Sequence, residues 1–186
     1  MKKIALILAL ALCALTFAAC GAGYEKTIQT YIDAIMEKDG ELFLKTVDPY
    51  AIENKLEQYD LDDDETDKLA KEFKTVAKNT LSSLEDRFSD DIGDLEKITF
   101  EISDVTEYEK DELEILAEWL DDEYGYDADE IQAIALLEVE FTYVGDEDED
   151  DEDAELAVIK IDGKWYRCEY FLNEDHIDSI LDEEDK

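Results

Sequence analysis

The chain has 186 residues, 55 of them Asp or Glu and 17 Lys or Arg, giving a formal net charge of −38. Hydrophobic residues make up 45%, enough apolar material for one core, which excludes a wholly disordered acidic tail. A polyanion repels phosphate backbones, so nucleic acid is excluded as a partner, and the length suits a single domain.

Residues 1–19 read as an address. Lys2 and Lys3 precede an apolar stretch from Ile4 to Leu15, followed by Phe17-Ala18-Ala19-Cys20. This is secretory signal architecture and is set aside from fold reasoning. The 16 residues from Ile4 to Ala19 fall short of the ~20 that a spanning helix needs. Small residues directly before a cysteine resemble the bacterial lipobox, with Phe17 where Leu is most usual. The resemblance implies a lipoprotein: diacylglycerol on the Cys20 thiol, acyl chains such as palmitate, and cleavage before Cys20. An ordinary cleaved signal and an uncleaved anchor are the alternatives. Each buried methylene contributes about 0.8 kcal/mol, so two or three acyl chains anchor a protein durably. Removing 19 residues leaves 167, and losing two lysines and no acid takes the charge from −38 to −40. The expected location is the cell membrane, facing outside the cytoplasm, with residues 20–23 as a short lipidated tether. Cys13 leaves with the signal and Cys20 takes lipid, so Cys168 has no disulfide partner and stability rests on packing.

From residue 24 the spacing predicts one domain, 24–186. Tyr24, Ile28, Tyr31, Ile32, Ile35 and Met36 recur at helical intervals, with Gly40 as the stop. Leu42, Phe43, Leu44 and Val47 form a helical turn ended by Asp48-Pro49, and another short helix runs to about Tyr59. Leu69, Phe73, Val76, Ala77, Leu81, Leu84 and Phe88 make the clearest apolar stripe. The period then changes to two. Ile98, Phe100 and Ile102 mark a half-buried strand that bends or ends near Ser103. A helix through Leu113, Leu116 and Leu120 stops at Gly125. The odd positions from Ile131 to Tyr143 form a long strand with one buried face, with a helical start over its first few residues as the alternative. Residues 145–153 hold eight consecutive acids, from Asp146 to Asp153, and read as a solvated, mobile hairpin tip. The next strand leads to Asp162-Gly163, a type I′ turn that pairs Ile161 with Lys164 and Ile159 with Tyr166. The return strand extends to Phe171, and Asn173 caps a last helix.

Helices followed by a strand, a helix and a three-strand meander predict an α+β fold. The opening helix with its Gly40-Glu41-Leu42-Phe43 turn, and the closing Val158-Ile159-Lys160-Ile161-Asp162-Gly163-Lys164-Trp165-Tyr166 hairpin, resemble the nuclear-transport-factor-2-like family, also called cystatin-like or ketosteroid-isomerase-like. The resemblance covers about residues 24–172. It implies N-terminal helices packed on a curved, cone-like antiparallel sheet, a layout shared by many secreted Gram-positive lipoproteins.

The candidate sites are few. Asp104 extends the Ile98, Phe100, Ile102 face and is the candidate catalytic acid or base, if the cone encloses it; otherwise it meets solvent. No catalytic partner can be matched to it, so no catalytic set is carried over. Asp146, Asp148, Asp150, Asp151 and Asp153 are candidate ligands for weakly held calcium, a hard cation that takes oxygen donors. Asp60–Asp64 begins like a calcium loop but fails at Glu65, Asp67 and Lys71. Cys168 is expected to be buried and His176 to be a solvated surface residue. A single His and a single unacylated Cys exclude the usual structural zinc sets. The tyrosines, Trp119 and Trp165 are expected to pack the core, with a ligand pocket as the alternative. The functional expectation is a non-catalytic binding or scaffold module for an envelope protein or a small apolar ligand. The alternatives are a small isomerase-like enzyme acting by proton transfer in the cone, and an acidic surface protein weakly binding divalent cations.

Overall fold

The computed structural model describes residues 23–62, 65–171 and 173–184. The lipobox and Cys20 therefore lie outside the described residues, as do Asp63 and Asp64 of the failed calcium loop.

Helix α1 (Tyr24–Glu37) buries Ile28, Ile32, Ala34 and Ile35 at the predicted spacing. Its cap is Lys38, with φ 55°, and not Gly40. Gly40 has another purpose. It opens α2 (Gly40–Leu44) against the long helix that carries Ala70, where a Cβ would lie 1.8 Å from the Ala70 carbonyl oxygen. Asp48 and Pro49 likewise begin an element as well as end one. The Asp48 side chain caps α3 (Pro49–Gln58) by accepting from Ala51 N at 2.8 Å, and proline at the first helical position loses no needed donor. The long helix α4 (Thr66–Ile92) buries Leu69, Phe73, Ala77, Leu81, Phe88 and Ile92. Val76, expected on that stripe, stays 42% exposed.

Strands β1 (Leu95–Glu107), β2 (Ile131–Gly145), β3 (Glu149–Ile161) and β4 (Lys164–Arg167) form one antiparallel sheet in sequence order, curled into a half-barrel. This is the expected α+β, cone-like class. β1 does not end at Ser103. A register shift between Ile102 and Asp104 bends it, and pairing with β2 resumes to Glu107. Helix α5 (Lys110–Tyr124) starts on a Glu109/Glu112 capping box and stops at Gly125, φ 72°. Asp162 and Gly163 both have positive φ, and Ile161↔Lys164 and Ile159↔Tyr166 pair as the turn type requires. β4 is shorter than expected, although Cys168 N still donates to Ala157 O at 2.9 Å. Helix α6 (Glu174–Glu184) follows Asn173, whose Oδ1 accepts from His176 N.

The sheet is covered on both faces. Odd positions of β2, including Ala135, Leu137 and Val139, pack against Ile28 and Ile32 of α1 and Phe88 and Ile92 of α4. Ile134 and Leu136, on the other face, pack against Leu116 and Leu120 of α5 and Ile177 of α6. Ile134–Leu137 is therefore buried without interruption, and strict alternation returns only from Glu138. A third cluster joins the helices themselves, with Phe43 stacked on Phe73 at 5.0 Å. All three clusters draw on residues after Gly23, so a chain starting at Gly21 keeps every core residue among the described ones.

Candidate functional site

The short strand β4 is held by two contacts from the N-terminal helices. Thr27 Oγ1 donates to the Trp165 carbonyl at 2.7 Å, and Arg167 N donates to Thr46 O at 2.8 Å, where Val47 bridges Arg167. These contacts set the start of α1 and the α2–α3 junction against the β3–β4 hairpin, and a groove of about 690 Å³ remains between them. Its apolar walls are Leu44, Val47, Pro49, Ile52, Trp165 and Tyr166. Three exposed lysines, Lys26, Lys45 and Lys164, line it as well, and among the described residues no Asp or Glu does. Among the described residues none of these lysines has a carboxylate within ion-pair distance. In a chain with more than three acids for every base, this is a local reversal of charge. Trp165 is packed edge-on by Tyr24 at 5.4 Å, with Lys160 Nζ 5.8 Å above its ring. It is half-buried, packs against the core cluster under α1 as expected, and also lines the groove.

A polar cluster lies behind the groove. Asp48 is fully buried, and the Tyr126 hydroxyl faces it, although Asp48 Oδ2 and Tyr126 Oη each fall outside hydrogen-bonding geometry. Burial raises the Asp48 carboxyl above its usual range, opposed by the hydrogen bond from Ala51 N and by the nearby Tyr126 hydroxyl dipole. Burial and then the Asp48 charge push the Tyr126 phenol far up. Here a carboxylate meets a tyrosine, but neither residue lines the groove, and both are sealed from solvent. The pair supports the fold and has no substrate access.

Asp104 stands elsewhere. It is exposed at the β1 bulge, opposite Glu138 of β2, and among the described residues no apolar pocket encloses it. The geometry for general-base chemistry is therefore not assembled around it.

The acidic run divides in two. Asp146–Asp148 form the turn, and Asp150, Asp151 and Asp153 belong to β3. The turn is docked and not loose. Asp146 Oδ1 accepts from Asp94 N at 2.8 Å, Asp146 N donates to Asp94 O, and Glu147 N donates to Ile92 O. Gly145 permits this contact, since a Cβ there would lie 2.0 Å from Ile92 O. Asp148 and Asp150 each accept from the backbone N–H that follows them. Pairing sets Asp151 opposite Thr142 and Asp153 opposite Glu140. Among the described residues, no three His, Cys, Asp or Glu side chains are grouped to hold a metal ion.

Cys168 is buried, and burial pushes its thiol up to about 12. His176 is half-buried, its ring edge-on to Trp119 at 5.5 Å, so it packs on the α5 aromatic instead of standing free in water. No helix among the described residues is long and apolar enough to cross a membrane.

Lys26, Lys45, Lys164 and Asp48 carry no local sign of a site in the sequence. The lysines are far apart in the chain, and only the fold gathers them. Compared with protein-family models, curated proteins and solved structures, the chain has no match in any of the three.

Proposed function

We propose that this chain is a membrane-anchored extracytoplasmic lipoprotein. Its cone-like domain, of the nuclear-transport-factor-2-like kind, is a non-catalytic binding module for a small apolar ligand or an envelope partner. The observation that carries the reading is the groove. Its walls are apolar, it contains no acid–base pair, and Gly23, three residues after Cys20, lines it. Ligand sites are typically concave and apolar with a few polar groups to fix orientation. The Phe17-Ala18-Ala19-Cys20 motif supports the lipid anchor.

The anchor is tested by growing bacteria that express the full chain with labelled palmitate. The wild type takes the label and sediments with membranes, and Cys20→Ser loses both properties. Persistent label on Cys20→Ser, or an unlabelled wild type, overturns the anchor. The groove is tested with the uncharged fluorophore N-phenyl-1-naphthylamine. The domain enhances its emission, and Ile52→Glu removes that enhancement without changing the far-ultraviolet spectrum. Equal enhancement by the variant overturns the groove as the binding site.

A further inference from the structure

We infer that the lysine-lined groove is the face this domain turns to its own bilayer, where it takes the anionic headgroups of phospholipids. The inference rests on the lipid-anchor reading of Cys20.

Three observations converge on it. The first is charge complementarity. The groove carries Lys26, Lys45 and Lys164 and, among the described residues, no carboxylate, although acids outnumber bases 55 to 17 in the chain. Glu25, Asp48, Glu53 and Asp162 neighbour the groove in sequence but do not line it, and Asp48 is buried behind its wall. The second is position. Gly23 lines the groove, and only Gly21 and Ala22 separate it from Cys20, so a lipid on Cys20 holds this face near the headgroups. The third is the aromatic pair. Trp165 and Tyr166 are half-buried, with part of each ring available on the groove wall. Such rings suit the boundary between acyl chains and water, and lysine stems lie along apolar surface while their ammonium groups reach phosphate.

The rest of the charge is arranged to allow this approach. β3 runs from Glu149, beside the acidic turn, to Ile161, beside the groove hairpin. Its 13 residues span about 40 Å at ~3.3 Å each. That is several Debye lengths at physiological salt, where one is about 8 Å. A membrane at the groove end therefore feels the lysines strongly and the acidic turn hardly at all.

The test supplies the tether artificially. A chain starting at Gly21 carries an N-terminal hexahistidine tag and Trp119→Phe, which leaves Trp165 as the only tryptophan. It is held on nickel-chelating vesicles of phosphatidylcholine, with or without about one-third phosphatidylglycerol, containing a brominated lipid as quencher. Trp165 is quenched on the anionic vesicles, much less on the neutral ones, and quenching fades at high salt. A basic residue near an anionic surface contributes about fivefold in partitioning. The triple change Lys26→Gln, Lys45→Gln, Lys164→Gln therefore lowers the docked-to-undocked ratio by about 100-fold. The control triple Lys71→Gln, Lys78→Gln, Lys97→Gln has the same net charge and leaves the ratio unchanged. Equal quenching on neutral and anionic vesicles, or equal loss from both triples, overturns the inference. Because the tag replaces the lipid, failure here leaves the anchor reading standing, and failure of palmitate labelling leaves this measurement interpretable.

Discussion

Thr27 Oγ1 donates to the Trp165 carbonyl at 2.7 Å and so joins the first helix to the last strand. β4 has only four residues and pairs on one side with β3, so its other edge depends on α1 and the Thr46–Val47 segment for cover. The groove exists because this edge is covered at its ends and open between them.

Thr27→Val keeps the side-chain shape and removes the donor. The expected loss is about 1 kcal/mol of unfolding free energy, the net worth of a typical intramolecular hydrogen bond. Urea unfolding measures it, and Thr27→Ser, which keeps the hydroxyl, restores most of the loss. If Thr27→Val matches the wild type, this bond is not what holds the edge.

Asp48 gives a pH signature. Its carboxyl is raised by burial in the folded protein. A raised acid contributes stability below its unfolded value and loses it as pH rises through the folded value. Asp48→Asn also caps a helix but does not titrate. Its stability relative to the wild type therefore increases as pH rises from the acid side of the carboxylate range toward neutrality. Asp48→Ala loses the cap and is less stable than Asp48→Asn by about 1 kcal/mol at every pH. Chemical unfolding of the three proteins across pH reads both effects. A stability difference between Asp48→Asn and wild type that falls with rising pH would contradict a raised carboxyl.

Cys168 offers a probe of opening. With its thiol pushed up to about 12, the folded protein holds little thiolate at pH 8. A disulfide reagent is expected to label the native protein more than about 1000-fold more slowly than the urea-unfolded chain, since a free cysteine has a pKa of about 8.5. The native rate should rise with denaturant as opening becomes more frequent. Native labelling as fast as in urea would place the thiol at the surface.

Much of this architecture is legible in the residues, for reasons that differ by element. Alternation in β2 from Glu138 to Tyr143 follows one buried face, and Asp162-Gly163 dictates its own turn and register. Ile134–Leu137 misleads because α5 and α6 cover the second face there, a tertiary fact that no local period records. Gly40 looks like a helix stop, but its cause is the Ala70 carbonyl, thirty residues on. The acidic turn resembles free solvated chain, yet Asp146 accepts from a backbone N–H at residue 94. The groove is the least legible feature. Lys26, Lys45 and Lys164 come from a helix, a junction and a hairpin, and each is unremarkable alone.

The sheet carries a charge conflict with a measurable consequence. Glu101 pairs with Glu140, and Glu140 with Asp153, so three acids stand in register across three strands. Asp104, Glu138 and Glu155 repeat the arrangement past the bulge. Like charges directly opposite one another on a sheet are destabilising, and Glu140 has an acid on both sides. Glu140→Gln keeps the size and removes the central charge. The expected gain is on the order of 0.5 kcal/mol at low ionic strength. The gain should shrink toward zero in about 1 M sodium chloride, where the Debye length falls to about 3 Å. Glu118→Gln, at an exposed position of α5 outside the sheet pairing, should give no comparable gain. Thermal unfolding of the three proteins in low and high salt separates pairing from net charge. If Glu140→Gln and Glu118→Gln stabilise equally, general charge reduction is responsible, and the three-strand acidic row has no energetic identity of its own.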